Sequence, residues 1–381
     1  SFGFTLLTSV LLNFVFGVWA TRVMIRGAVN FKPLRKAWLF GGRKDGGADF
    51  KTPTINFIGN RKKFYTFSCA LLALVLVFCG VFGVKMDVEF KGGSMITLAY
   101  EGDADLNDLK STISTELNKS NLTLQTGSDI SGNQTLTVTL PGSDTLTTEE
   151  LDGLLATLNE QYPDNAFVQN EVSNVDATIG KEFMLKSIVA LVAACVLILL
   201  YVAYRFRRIG GLKAGSTAIV ALLHDMLVVF GVFVILRIPL NGNFIAALLT
   251  ILGYSINDTV VVYDRIRENR GLLGKKAGFQ ELVNHSINQS ACRTIITTVT
   301  TVMALAVMCI VSKLYGLDSI FTFAFPLMMG MFSGVYTSLC VSSIRSSLLF
   351  GISRSARIRI LFIFFSALFI LVCKFKFVQL F

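Results

Sequence analysis

The sequence predicts an α-helical polytopic membrane protein with one small α+β domain outside the membrane. Of its 381 residues, 53% are hydrophobic and only 16% are charged, a balance typical of chains with several transmembrane helices. Apolar stretches of about 20 residues recur along the chain, which is the length that crosses a bilayer as a helix. One long segment, residues 85–182, is instead polar and acidic, with alternating strand-like and helix-like patterns.

The predicted organisation has six segments in chain order. They are a transmembrane helix at 1–21, a basic linker at 22–63, a second transmembrane helix at 64–84, the α+β domain at 85–182, a bundle of five transmembrane helices at 183–343, and an atypical basic and apolar tail at 344–381. Two short helices on the membrane surface are also expected, at 29–40 and at 278–287. The apolar run 360–373 within the tail is short for a membrane span and is interpreted as an interfacial segment or an altered reading frame.

The charges are segregated along the chain, and their distribution indicates its topology. The linker 22–63 is rich in Lys and Arg, whereas residues 85–182 contain no Arg. Because basic loops stay on the cytoplasmic side, the linker is predicted inside and the acidic domain outside. The net charge of +10 is therefore attributed to topology and to contact with membrane lipid, and no nucleic-acid partner is predicted.

Strand and helix patterns alternate in the acidic segment. Strands are predicted at 95–100, 122–125, 134–140 and 166–172, with helices at 105–117 and 147–162. The second helix would be capped by Thr147 or Thr148. This order favours a split βαβ, ferredoxin-like domain.

The fifth predicted span carries an acidic residue within its apolar part. Asp258 lies there beside Asn257, and Ser255 and Tyr254 precede it by three and four residues. At that spacing these side chains share a helix face. Since an ionised carboxylate is costly in hydrocarbon, the face is expected to point into the bundle, and Asp258 is a candidate functional residue.

A basic residue begins the sixth predicted span. Arg293 is followed by Thr297 at helical spacing, and we expect Arg293 to pair with Asp258 from the neighbouring helix. A carboxylate that alternates between paired and protonated states is the minimal part of a proton relay, but the same pair could be a static pin between helices. His224 and Asp225 in the fourth span have two similar readings, an interhelical hydrogen-bonding pair or part of the proton pathway.

The residue spacings offer no catalytic nucleophile, metal site or phosphate-binding loop. There are only two His residues, and the seven Cys residues lie in or beside apolar runs without CxxC spacing. The sequence therefore predicts a transporter-class protein that is not an enzyme, with protons as coupling ion and no other cofactor.

Long motifs in the predicted spans resemble those of the SecF family of protein-export membrane proteins. The resemblance is carried by the runs LLHDMLVVFGVF (222–233), LLTILGYSINDTVVVYDRIREN (248–269), NQSACRTIITTVTTV (288–302) and FPLMMGMFSGVYTSL (325–339). Residues 1–50 resemble the last helix and tail of SecD. The chain is thus similar to the rear part of a fused SecDF of the resistance-nodulation-division superfamily.

The resemblance implies a role, a location and a set of partners. Such a protein lies in the bacterial inner membrane with its large domain on the periplasmic side, and uses the proton-motive force to assist late steps of preprotein translocation. The implied partners are a SecD-like half, the SecYEG channel and the unfolded preprotein, with YajC and YidC as further candidates.

The resemblance also assigns residues. By motif position, Asp258 and Arg293 correspond to the proton-pathway acid and base, and Asp225 to the acid of the family's third-helix motif. VEFKGG at 88–93 stands where the family has an Asp-Phe-x-Gly-Gly element, with Glu89 in place of Asp, followed by three family-matching residues, Phe90, Gly92 and Gly93.

Two alternatives stay open at this stage. A passive scaffold that stabilises the translocon would need no proton site, and Asp258→Asn would leave its function intact. A small-molecule exporter of the same superfamily would have larger outer domains and two intact halves, and the motif at 248–269 argues against it.

Overall fold

The computed structural model describes residues 2–31, 55–102, 106–118, 122–128, 134–141, 146–273, 278–315 and 317–342. Residues 1–53 form a unit of their own. In it the backbone is helical from Phe2 to Asn30: α1 (Phe2–Leu12) continues through a π-helical stretch (Asn13–Ala20) into α2 (Thr21–Asn30). This helix extends beyond the predicted 1–21 span.

The second unit contains the remaining α-helices of the described residues. These are α3 (Arg61–Phe82), α4 (Val88–Lys91), α5 (Leu106–Glu116), α6 (Thr148–Gln161), α7 (Ala177–Arg205), α8 (Gly211–Ile235), α9 (Gly242–Leu273), α10 (Phe279–Leu314) and α11 (Asp318–Tyr336), which ends in a π-helical turn (Thr337–Ser342). Within the described residues of both units, seven helices are long and apolar enough to cross a membrane. Lipid-facing helices explain the many exposed Phe, Leu and Val side chains on α3 and α7.

The α+β domain is built on a four-stranded antiparallel sheet. Its strands are β1 (Gly93–Tyr100), β2 (Thr123–Ser128), β3 (Gln134–Pro141) and β4 (Val168–Val175), in the spatial order β2-β3-β1-β4. Helices α5 and α6 pack on one face, where a cluster of buried residues including Ile96, Leu109 and Leu154 forms the core. Thr147 caps α6 in a reciprocal capping box with Glu150.

One predicted element is merged into another. The short surface helix expected at 278–287 is the first part of α10, which runs unbroken from Phe279 to Leu314. The merger has a physical reason, since Val283 and Ile287 are fully buried against the other helices. In addition, the Asn284 side chain accepts a hydrogen bond from the Phe57 amide at 2.9 Å. Tertiary packing at this end therefore replaces the expected contact with the membrane surface.

Two further expectations concern residues that the structure does not describe. The tail 344–381 lies outside the described residues, as does most of the linker 22–63, including positions 32–40 of the surface helix expected at 29–40.

Candidate functional site

A fully buried carboxylate lies at the centre of the helix bundle. Asp225 on α8 has 0% exposed surface. Its two oxygens accept hydrogen bonds from Ser255 Oγ on α9 at 2.7 Å, from Ser333 Oγ on α11 at 2.7 Å, and from Thr337 Oγ1 at 2.9 Å each. Hydroxyl donors from α9 and α11 thus converge on one acid of α8. They satisfy the hydrogen-bonding capacity of its oxygens in a region where unsatisfied polar groups are costly.

Small residues allow α9 and α11 to meet beside this acid. A Cβ at Gly330 would collide with the side chains of Ile251 and Val229, and one at Gly334 would lie 3.4 Å from Ser255 Cβ. Thr337 begins the π-helical turn that ends the α11 helix. Single π-turns within helices are common at functional sites because they redirect side chains.

The neighbouring His224 is also buried, with 3% exposed surface. Its Nδ1 lies 3.6 Å from Asp225 Oδ1 and 3.4 Å from Ser333 Oγ. Its Nε2 has no hydrogen-bond partner among the described residues. At this position Asp225 accepts most of the interhelical hydrogen bonds, and His224 takes part in one, with Ser333.

Asp258 is half-buried and lies three residues, less than one helical turn, after Ser255, the α9 residue that bonds Asp225. A small cleft between α9 and α11 opens beside it and is lined by Ile251, Tyr254, Ser255, Asp258, Gly330, Met331 and Gly334. The expected polar face is divided: Ser255 is buried, whereas Tyr254 is 45% exposed and Asn257 is exposed. Among the described residues that line the cleft, Ser255 is the one that donates a hydrogen bond to Asp225.

The expected direct ion pair between Asp258 and Arg293 is absent. No oxygen of Asp258 lies within 4.0 Å of an Arg293 nitrogen. The two opposite charges still attract each other at their longer separation. The reason is orientation, since the Arg293 side chain is exposed on α10 and does not enter the bundle. Thr297 is exposed on the same face, and its hydroxyl donates to the Arg293 carbonyl within the helix.

Several site residues were not predicted from the sequence. Ser333 and Thr337 complete the Asp225 contacts, and nearby the hydroxyls of Thr259 and Ser338 join α9 to the π-helical turn at 3.0 Å. Hydroxyl residues are common in membrane helices, so single Ser and Thr positions gave no distinct signal. The one available clue was helical spacing, because Ser333 and Thr337 are four residues apart and share a face.

The VEFKGG segment lies at one end of the bundle. Phe90 is 4% exposed and packs among bundle residues such as Phe233. Glu89 Oε2 accepts a hydrogen bond from the Gly242 amide at 2.5 Å. Gly92 and Gly93 have φ angles of 82° and 134°, which only glycine adopts readily.

The bundle's sequence matches a known family. Residues 155–349 match the family described as protein export membrane protein SecD/SecF, C-terminal, and this range contains Asp225, Asp258 and Arg293. Over 291 residues the chain is 33% identical to the protein translocase subunit SecF of Calditerrivibrio nitroreducens, covering 76% of this chain and 92% of that protein. The chain belongs to the SecD/SecF family. The SecF resemblance is thereby confirmed.

Further similarities agree with SecD/SecF membership. The SecF subunit of Pseudomonas aeruginosa is 31% identical over 297 residues, with 78% of this chain and 92% of that protein covered. The crystal structure of SecDF from Thermus thermophilus, described as a translocon-associated membrane protein, has a TM-score of 0.67 and 30% identity. The match covers 79% of this chain and spans only 39% of that SecDF chain. This SecF-like chain is therefore a multi-pass membrane protein with an auxiliary role in Sec protein export.

Proposed function

We propose that this chain couples the proton-motive force to late steps of preprotein translocation, and that protons enter and leave through Asp258. The observation that carries the proposal is that Ser255 lines the Asp258 cleft and also donates a hydrogen bond to the buried Asp225. A carboxylate inside a membrane bundle is costly, so its presence there indicates a function, and the described bundle holds Asp225 and Asp258 on adjoining helices. Movement of one proton across the membrane releases about 2.3 kcal/mol for each 100 mV of membrane potential.

Ser255 is the proposed link between the two acids. It lines the cleft of Asp258 and donates to Asp225 Oδ2 at 2.7 Å. Protonation of Asp225 would remove an acceptor from this hydroxyl, and its neighbours Ser333 and Thr337 would have to reorient. Since these hydroxyls lie on α9 and α11, a change of protonation state alters the contacts between helices and can alter their packing. Tyr254, which lines the cleft, and Asn257, which is exposed next to Asp258, are the proposed supporting residues.

A SecD-like half is the proposed partner on the face of Asn257 and Arg293. Both side chains are exposed, and Arg293 has no carboxylate within 4.0 Å among the described residues. An unpaired guanidinium facing lipid is unfavourable within a membrane span. A second helical bundle would cover Arg293 and bring it closer to Asp258, completing the site.

The α+β domain is proposed to be ferredoxin-like and to lie on the periplasmic side of the bacterial inner membrane. The order β1-α5-β2-β3-α6-β4 with the antiparallel sheet order β2-β3-β1-β4 supports this fold. Its lack of Arg supports the outer location. There it would contact the unfolded preprotein, while the bundle associates with SecYEG, and YajC and YidC are further proposed partners.

The second candidate function is a passive translocon-stabilising scaffold. The hydrogen bonds from Ser255, Ser333 and Thr337 to Asp225 favour it, because such contacts join helices without any proton movement. The two functions differ in their need for Asp258, which makes no hydrogen bond among the described residues and so contributes little to a scaffold. A small-molecule exporter of the same superfamily is disfavoured by the SecF relatives.

Preprotein export into membrane vesicles separates these functions. The full chain, assembled with its SecD-like half, is assayed with and without a proton gradient for Asp258→Asn and Arg293→Ala. Asp264→Asn is the matched control, because Asp264 lies on the same helix but forms exposed ion pairs with Arg205 and Arg267 at 3.3 and 2.6 Å.

Proton coupling predicts that gradient-stimulated export is lost in Asp258→Asn and Arg293→Ala and retained in Asp264→Asn. Export that survives in both site variants would support the scaffold instead.

A further inference from the structure

The chain passes from α3 into the α+β domain through residues 85–93, and this segment is fastened to the start of α9. The Leu240 amide donates to the Lys85 carbonyl at 3.0 Å, and the Asp87 amide donates to the Leu240 carbonyl at 3.0 Å. Asp87 also caps α4 through the Val88 amide at 2.7 Å, and its side chain interacts with Asn241. The backbone before α9 is therefore bound to the backbone that enters the domain.

Glu89 provides the next connection. Its carboxylate accepts a hydrogen bond from the Gly242 amide, the first residue of α9. The first amides of a helix have no partner within the helix, and a negative charge there also interacts favourably with the helix dipole. A Cβ at position 242 would lie 3.0 Å from the same Glu89 oxygen, so glycine permits the close approach.

The segment is also held from its other side. Phe90 stacks on Phe183 of α7 with ring centroids 5.6 Å apart. A Cβ at Gly180 would lie 2.9 Å from the Gly92 amide nitrogen, which shows how closely α7 approaches this backbone. Gly93 directly begins β1. Only a few residues separate the sheet from the helix bundle. They follow α3 in the chain, and they contact both α7 and α9.

We propose that residues 85–93 form a rigid joint that makes β1 and α9 move as one body, with Glu89 as the positioning residue. Asp258 lies 16 residues after Gly242 on the unbroken helix α9, or about 24 Å along its axis. A displacement of the α+β domain by a bound polypeptide is thereby transmitted to the helix that carries Asp258. Only this last step rests on the proposed proton coupling, because the joint itself is a property of the fold.

Amide hydrogen exchange and a spin-label distance test the joint in the full chain in lipid nanodiscs. The variants are Glu89→Ala and Glu89→Gln, the second of which keeps an acceptor oxygen, and the control is Glu101→Ala. Glu101 is an exposed acid of the same domain, and its two hydrogen bonds with Asn165 both involve the Glu101 backbone. Spin labels are attached at Lys110→Cys in the domain and Leu272→Cys in α9, both exposed positions, in a chain without the native cysteines. They measure the distance between the domain and the end of α9.

The joint predicts that Glu89→Ala makes the Gly242 amide exchange about tenfold faster and broadens the distance distribution. Glu89→Gln should fall between this variant and the unaltered chain, and Glu101→Ala should match the unaltered chain. The proposal would be overturned if Glu89→Ala had the same Gly242 amide exchange rate and the same distance distribution as the unaltered chain.

The export assay distinguishes a failure of the joint proposal from a failure of the proton-coupling proposal. If the joint transmits movement, Glu89→Ala lowers gradient-stimulated export while Glu101→Ala does not. Unchanged export in Asp258→Asn together with an intact label distance would refute proton coupling and leave the joint standing.

Discussion

Replacement of Thr337 by Val tests whether Asp225 is an ionised carboxylate that holds three helices together. Thr337 is fully buried, and its hydroxyl lies 2.9 Å from both Asp225 oxygens. Val has nearly the shape of Thr but cannot donate, so Asp225 would retain only Ser255 and Ser333. A hydrogen bond to a charged acceptor contributes about 1.5–3 kcal/mol, and interhelical bonds in membranes reach about 1.7 kcal/mol. We therefore expect a loss of about 1.5–2 kcal/mol in the free energy of unfolding.

Thr259→Val is the matched control. Thr259 is 1% exposed and bonds the Ser338 hydroxyl at 3.0 Å, a contact between neutral groups that joins α9 to the same π-helical turn. Neutral hydrogen bonds contribute about 0.5–1.5 kcal/mol, with an average of about 0.6 kcal/mol between membrane helices. Unfolding of the purified chain in mixed micelles, with increasing fraction of denaturing detergent, gives both values. Equal losses for the two variants would refute the ionised, hydroxyl-stabilised carboxylate.

Three further substitutions, one of them with a matched control, test other contacts by thermal unfolding of the full chain. Burial raises the pKa of Asp87 above its ordinary 3.8, so the folded state binds this proton more tightly. Stability should therefore fall as the pH rises above about 3.8, and Asp87→Asn should reduce that fall. Gly211→Ala would place a Cβ against the Ala203 carbonyl and should cost about 1–3 kcal/mol, whereas Gly253→Ala has free space and should be neutral or stabilising. Thr147→Ala removes the α6 cap and should cost about 1 kcal/mol.

Much of the architecture follows from patterns that are local in sequence. The structure places β1 over the predicted strand at 95–100 because the alternating residues Ile96 and Leu98 bury one face of the sheet. It places α6 directly after Thr147 because hydroxyl capping is a short-range interaction. The acid at 258 and the acid at 225 stand out for a similar reason, since charged residues are rare in apolar runs.

The remaining features depend on packing between distant segments. The hydroxyls of Ser333 and Thr337 serve Asp225 only because α11 crosses α8 at that level. The outward direction of Arg293 follows from the rotation of α10 about its axis, which spacing within one helix does not determine. The Glu89 contact joins residues 153 positions apart, so the motif signalled importance without indicating the partner.

A measurement of proton flux across the membrane tests whether Asp258 carries the coupling protons. The chain with its SecD-like half is reconstituted in vesicles that enclose a pH-sensitive dye, and acidification is followed after a proton gradient is imposed. Proton coupling through Asp258 predicts preprotein-dependent proton entry in the unaltered chain and in Asp264→Asn, and none above background in Asp258→Asn. Equal proton entry in Asp258→Asn would contradict it and assign the polar bundle a purely structural role.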